Sequence, residues 1–155
     1  MVNDSHLDPY TLVGEWNFER RIVDRRAEVT KRVAGTTIVE HSGHSRLRWY
    51  ESGTLFDGDL ELPVFRTLFI ERTDGDWTVT FEDGREFHDW APGGDVEHLC
   101  GADTYRGRID IDIDIDIEEA EADAAEDPQA VWSVEWTVTG PSKDYTMTTH
   151  LTRSS

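Results

Sequence analysis

Arg20 lies on the apolar side of an alternating segment. Leu12, Gly14, Trp16, Phe18, Arg20 and Ile22 interleave with Val13, Glu15, Asn17, Glu19, Arg21 and Val23, and in an extended strand the two sets point to opposite faces. The same parity groups Glu51 with Leu47 and Trp49, Arg66 with Val64, Leu68 and Ile70, and Lys143 with Tyr145, Met147 and Leu151. A buried ion costs several kcal/mol unless it is paired or meets a polar guest. Interior charges on several strands therefore predict a lined cavity. Arg20, Arg66, Lys143 and Tyr145 would hold the acidic or polar end of a small molecule, with Trp16, Trp49, Trp77, Trp132 and Trp136 as apolar walls. The alternative is internal neutralisation, with Glu51 paired to Arg20 or Arg66 and no guest.

The elements that must position these residues are strands. Alternation of period two predicts strands at 12–24, 27–39, 45–52, 62–71, 76–81, 85–90, 104–117, 130–139 and 143–153, with a tenth allowed. Turn-forming breaks separate them, among them Ser42-Gly43, Asp57-Gly58, Pro92-Gly93-Gly94 and Gly140-Pro141-Ser142. Helical potential is confined to 4–12, where Asp8 can cap and Pro9 can take the first helical position. Long antiparallel strands with one apolar face and short turns predict an all-β, single up-and-down barrel of nine or ten strands. At 155 residues there is room for one domain.

Asp83-Gly84 is a two-residue hairpin signal that sets Glu82 opposite Arg85 and Val79 opposite His88. His88 is then interior, either a core histidine bonded to a carboxylate or hydroxyl, or a ligand contact or acid/base group. Arg85 and Phe87 are expected outside, with Arg85 pairing to Glu82. Tyr105 shares the face of Ile109, and reads as a core phenol or a pocket donor. His98-x-Cys100 with His88 has metal-capable chemistry, but one thiol and one spacing recur by chance and no metal site is assigned. Cys100 is expected as a small buried residue.

Gly14-x-Trp16 on the first strand and Arg153 on the last resemble the pair that marks the calycins, the lipocalin and fatty-acid-binding-protein superfamily. That resemblance implies a calycin-like barrel in which the Trp closes one end and the Arg packs across it. The blocks Asp83-Gly84-Arg85-x-Phe87-His88, His98-x-Cys100-x-x-Asp103-x-Tyr105 and Trp136-x-Val138-x-Gly140-Pro141-x-Lys143-Asp144-Tyr145 resemble a small microbial family defined only as a domain of unknown function. Lys143-x-Tyr145 is similar to the final-strand Arg-x-Tyr of fatty-acid-binding proteins, which holds a ligand carboxylate. Here Lys replaces Arg, giving a point charge instead of a bidentate fork. Nitrobindins, which are short calycins, hold haem through a C-terminal histidine, but His150 falls on the face opposite Tyr145, so no haem is expected.

Composition narrows the partners. The net charge is −18, with ten of the 33 acidic residues between Asp110 and Asp127. Such a chain repels nucleic acid and anionic membranes. Residues 109–117 alternate Ile with Asp, which suits a strand with one wet face, and 118–129 reads as an acidic flexible loop. Cys100 is the only cysteine, no leader or membrane span is visible, and a soluble cytoplasmic protein is expected. The reading is a barrel for a partly apolar small molecule, contacted by Arg20, Glu51, Arg66, His88, Tyr105, Lys143 and Tyr145, with no cofactor assigned. Its rivals are a small isomerase, lyase or hydrolase with Glu51 or His88 as base, and a module that docks a basic protein through its acidic hairpin.

Overall fold

In a computed structural model, which describes residues 8–112 and 132–154, ten strands form one antiparallel sheet. They are β1 (Gly14–Asp24), β2 (Val29–His41), β3 (Arg46–Asp57), β4 (Leu60–Thr73), β5 (Asp76–Phe81), β6 (Glu86–Asp89), β7 (Asp95–Cys100), β8 (Asp103–Ile111), β9 (Trp132–Thr139) and β10 (Asp144–Arg153). The order β6-β5-β4-β3-β2-β1-β10-β9-β8-β7 is that of an up-and-down meander whose first and last strands pair. The barrel is nearly closed: β6 and β7, consecutive in the chain, are not hydrogen-bonded neighbours.

The tenth strand is β7, which none of the nine predicted segments covers. Its Leu99 is exposed and sits among Asp95 and Glu97, so neither face of the segment reads as apolar. The expected strand 104–117 is described only to its Ile111 end as part of β8, and the expected acidic loop 118–129 lies outside the described residues.

Asp8 caps a 3-10 turn, Pro9–Leu12, by accepting from the Tyr10 N–H at 2.9 Å. Pro9 supplies the fixed φ this position needs. The turn buries Pro9 and Leu12 at the end of the barrel where β1 starts and β10 finishes. Trp16 donates its indole N–H to the Leu12 carbonyl at 2.8 Å, and the Arg153 guanidinium lies 4.3 Å above the Trp16 ring. Gly14 has φ +143°, and a Cβ there would come within 3.0 Å of Arg153 Nη1, so glycine is what admits this closure. Trp16, Leu47, Trp49, Ile70, Trp132 and Leu151 fill the same end and are almost wholly buried.

The opposite end is different. Ile22, Leu55, Val64, Tyr105, Tyr145 and Met147 point inward yet are only half-buried. Between the two ends, Gly35 faces Gly53 across β2 and β3, and a Cβ on either would run into the partner backbone. The missing side chains let β2 and β3 approach closely two residues along β3 from Glu51. The fold is thus a cup with a packed floor and an accessible mouth.

Candidate functional site

Glu51 sits directly opposite Arg66 on the β3–β4 ladder, so the sheet register alone brings the two within reach. Arg66 Nη2 is 3.3 Å from Glu51 Oε2. Arg20 reaches over from β1, donating through Nη2 to both Glu51 oxygens at 2.9 and 2.7 Å and through Nε to Thr149 Oγ1 at 2.7 Å. Thr149 is the ladder neighbour of Arg20 on β10. The Glu51 side chain is 6% accessible and that of Arg20 13%. Burial alone would raise the Glu51 carboxyl, but the charges of Arg66 and Arg20 and their hydrogen bonds outweigh it and hold the group below the usual carboxylate range. Glu51 is therefore ionised and a poor base.

The two arginines differ. Arg20 is committed to Glu51 and Thr149. Burial among its neighbours, with Arg20 adding to it, lowers the proton affinity of Arg66 against the pull of Glu51. Arg66 nevertheless leaves 34% of its side chain accessible. Two cations and one anion leave this cluster with one uncompensated positive charge, and Arg66 is where it meets the accessible interior.

His88 on β6 is buried, and its Nδ1 lies 2.8 Å from the Asp89 carbonyl oxygen, which fixes the Nδ1–H tautomer. The expected carboxylate or hydroxyl partner is thus a backbone carbonyl. Burial lowers its pKa from 6.5 to about 4, with the charges of Arg66 and His98 pushing the same way against the Asp89 contacts. The imidazole is neutral at pH 7, and its Nε2 can accept a hydrogen bond or a proton.

Because the folded state holds the His88 proton less tightly than the unfolded state, stability is unaffected above pH 6.5. It falls as pH drops from 6.5 towards 4, by up to about 3 kcal/mol. Glu51, whose carboxyl is also held below its ordinary value, loses its contribution only as pH falls below 4.5. Urea midpoints at pH 7 and pH 5 should therefore separate the wild type from His88→Gln, which lacks the titrating group and should show the smaller acid loss.

A second polar group sits at the mouth. Lys143 precedes β10 and binds Asp103 at 2.9 Å, with 41% of its side chain accessible. It lies on the rim, and its hydrogen bond to Asp103 raises its pKa. The sequence reading had placed it with Arg20 and Arg66 on a cationic floor; the Asp103 carboxylate, arriving across the β7–β8 turn, neutralises it instead. Burial, with the neighbouring Tyr105, pushes Tyr145 up to about 12. The Tyr145 phenol stays protonated at neutral pH.

Rings line the side of the cavity near His88. Phe81 stacks on Phe87 at 4.6 Å, and Phe87 stacks on Trp136 at 4.9 Å, while His98 meets the edges of Phe81 and Phe87 at 5.6 and 5.2 Å. Phe87 was expected outside. A register shift between Val79 and Thr80 makes Thr80 pair with Glu86, and this bulge turns Phe87 and His88 both toward the ring cluster. Arg85 binds Asp83 at 2.8 Å, where Glu82 had been expected. Cys100 is exposed, not buried, and no cluster of three metal-capable side chains exists among the described residues. Trp16, Trp49 and Trp132 form the packed floor, so of the five candidate tryptophan walls only Trp136 belongs to the ring cluster, while Trp77 meets Tyr10 of the 3-10 turn edge-on at 5.2 Å. His150 is exposed on the outer face, as its parity predicts. Phe87, His98, Thr149 and Asp103 are site residues that the sequence reading did not assign; for Thr149 the parity of Met147 and Leu151 carried the signal.

The family of unknown function DUF6314 matches residues 12–153. The chain belongs to DUF6314. The match spans all ten strands, from the floor through Arg153. No curated protein matches the sequence. Among solved structures, the barrel of this DUF6314 chain is similar to an S-type phycobiliprotein lyase, CPES, from Guillardia theta, with a TM-score of 0.60 and 9% identity over 92% of this chain and 88% of that one. At that identity the likeness is one of fold. No helix among the described residues is long and apolar enough to cross a membrane.

Proposed function

We propose that this protein binds a small, partly apolar molecule in its interior, with an anionic head group on Arg66 and the apolar body toward the mouth. The observation that carries the reading is Arg66: paired to a buried Glu51, itself a third accessible, and the outlet of an uncompensated charge in the Arg20–Glu51–Arg66 cluster. The half-buried inner residues Ile22, Leu55, Val64 and Met147 supply apolar walls. Tyr105, Tyr145 and Lys143 guard the rim, and His88 offers an acceptor beside the head group. The Trp16–Arg153 closure and the solved-structure likeness support a calycin-like barrel. With a net charge of −18 the protein would act apart from nucleic acid and anionic membranes.

Intrinsic tryptophan fluorescence tests this reading, because Trp136 contacts the cavity cluster. Titration with a panel of amphiphilic monocarboxylates should shift the emission saturably. Arg66→Gln should weaken that binding about tenfold or more, as expected for losing a charge-assisted hydrogen bond in a part-buried site. Emission unmoved by every member of the panel would count against a guest.

A further inference from the structure

Aromatic rings on the outer face of β3 and β4 are shielded, with one exception. Arg46 lies over Phe69 at 3.7 Å, Arg32 over Phe56 at 4.3 Å and Arg48 over Tyr50 at 4.4 Å, so each guanidinium covers apolar surface while its charge stays in water. Phe65 has no ring or guanidinium against it among the described residues, and at 68% it is more exposed than any other large hydrophobic side chain described. Its surroundings are uncharged. The ladders set Phe65 in one cross-strand row with Ser52 and Thr36, and the rows on either side, ending at Pro63 and Thr67, carry no charge either, in a chain of which 31% of the residues are charged. The rim is charged, with Arg46 paired to Glu71 at 3.6 Å and Arg48 to Glu40 at 3.1 Å. An apolar centre inside a charged rim is the layout of a protein interface.

The same stretch of β4 has a free flank. β4 pairs with β5 only over Leu68–Thr73, so residues 60–67 have β3 as their one ladder partner among the described residues, and Leu60 and Leu62 are 53% and 42% exposed there. Pro63 withholds a backbone donor in the middle of that flank, which favours side-chain contact over a continued strand ladder.

Charge selects the occupant. At a net −18 the chain repels a copy of itself over most approaches. On the outward positions of β2, β3 and β4 the charges cancel, Arg32, Arg46 and Arg48 against Glu40, Glu61 and Glu71. The densest acidic run of the sequence, Asp110 to Asp127, leads from β8 to β9, and β9 stands five strands from β4, on the opposite wall. A strongly charged partner gains nothing from a neutral face, whereas two copies can meet there without repulsion.

We propose that the outer face around Phe65, with the free flank of β4, docks a second copy of this chain in a two-fold contact that buries each Phe65 against the partner's uncharged patch. The proposal is independent of the container reading. Sedimentation equilibrium of the full chain, loaded from about 1 to about 300 μM, tests it, with a dimer dissociation constant on the order of 10 μM expected for a small apolar patch. Raising sodium chloride from about 0.05 to about 0.5 M should tighten the dimer about threefold or more, because salt screens the residual repulsion and leaves the apolar contact intact. Phe65→Glu should weaken it about thirtyfold, and Ser52→Glu, which adds a charge to the patch and removes no apolar surface, about tenfold. Leu99→Glu is the matched control, since Leu99 is 66% exposed but lies on β7, and it should leave the constant unchanged. A monomer at every concentration and salt would overturn the second copy and leave the patch to a different protein. A dimer that keeps its constant in both Phe65→Glu and Ser52→Glu would overturn this surface, and a dimer that loosens as salt rises would overturn the neutral contact.

Discussion

Glu51→Ala should lower unfolding stability by about 3–5 kcal/mol, the cost of stranding buried charge without its partner. Arg20 is 13% accessible and holds both Glu51 oxygens through one nitrogen. With Glu51 gone, two guanidiniums share the interior with only Thr149 to accept from them. Arg66→Gln is the matched control. Glu51 keeps its shorter bond to Arg20, at 2.7 Å against 3.3 Å, and Arg66 is a third accessible, so the change should cost about 1 kcal/mol or less. Urea unfolding of the three proteins measures this. Equal losses for the two variants would mean that Arg66 is as structural as Glu51, and would remove the basis for treating it as a binding group.

Trp132→Ala should be comparably damaging, at about 3–5 kcal/mol, because the ring is 2% accessible and lies in contact with Trp16 and Trp49 at the floor. Trp132→Phe should behave very differently. The Trp132 indole nitrogen is buried without a hydrogen-bond partner among the described residues, and removing an unpaired buried donor recovers part of what the smaller ring loses. A cost within about 1 kcal/mol is expected. Thermal or urea unfolding of the pair gives the comparison. Phe as costly as Ala would show that the floor depends on the indole's full volume, and that its nitrogen is no burden.

Strand parity made the floor and the charged cluster legible because β1, β3 and β4 run without a register break through Trp16, Arg20, Glu51 and Arg66. A ladder without bulges preserves which face a residue occupies, so counting by two is enough. The same counting failed for Phe87, where one bulge reverses the face beyond it and nothing in the composition marks the bulge. It missed β7 because that strand pairs along only one edge, with β8, and so carries an exposed Leu99 beside acidic neighbours. Lys143 had the correct parity but stands beyond the end of its strand, where facing inward means reaching the rim. Its partner Asp103 comes from a different turn, a proximity created by the barrel's closure and not by local sequence. The Gly35–Gly53 apposition, which brings two backbones together near Glu51, is likewise a property of pairing between strands.

The most direct test of an interior binding site is native mass spectrometry of the full chain purified from cells without refolding, beside the Arg66→Gln variant. The account predicts a stoichiometric small-molecule adduct on the wild type that is absent or much reduced on the variant while both remain folded. An adduct equally retained by Arg66→Gln, or a bare mass for the wild type together with no response to added aromatic or aliphatic monocarboxylates, would contradict it.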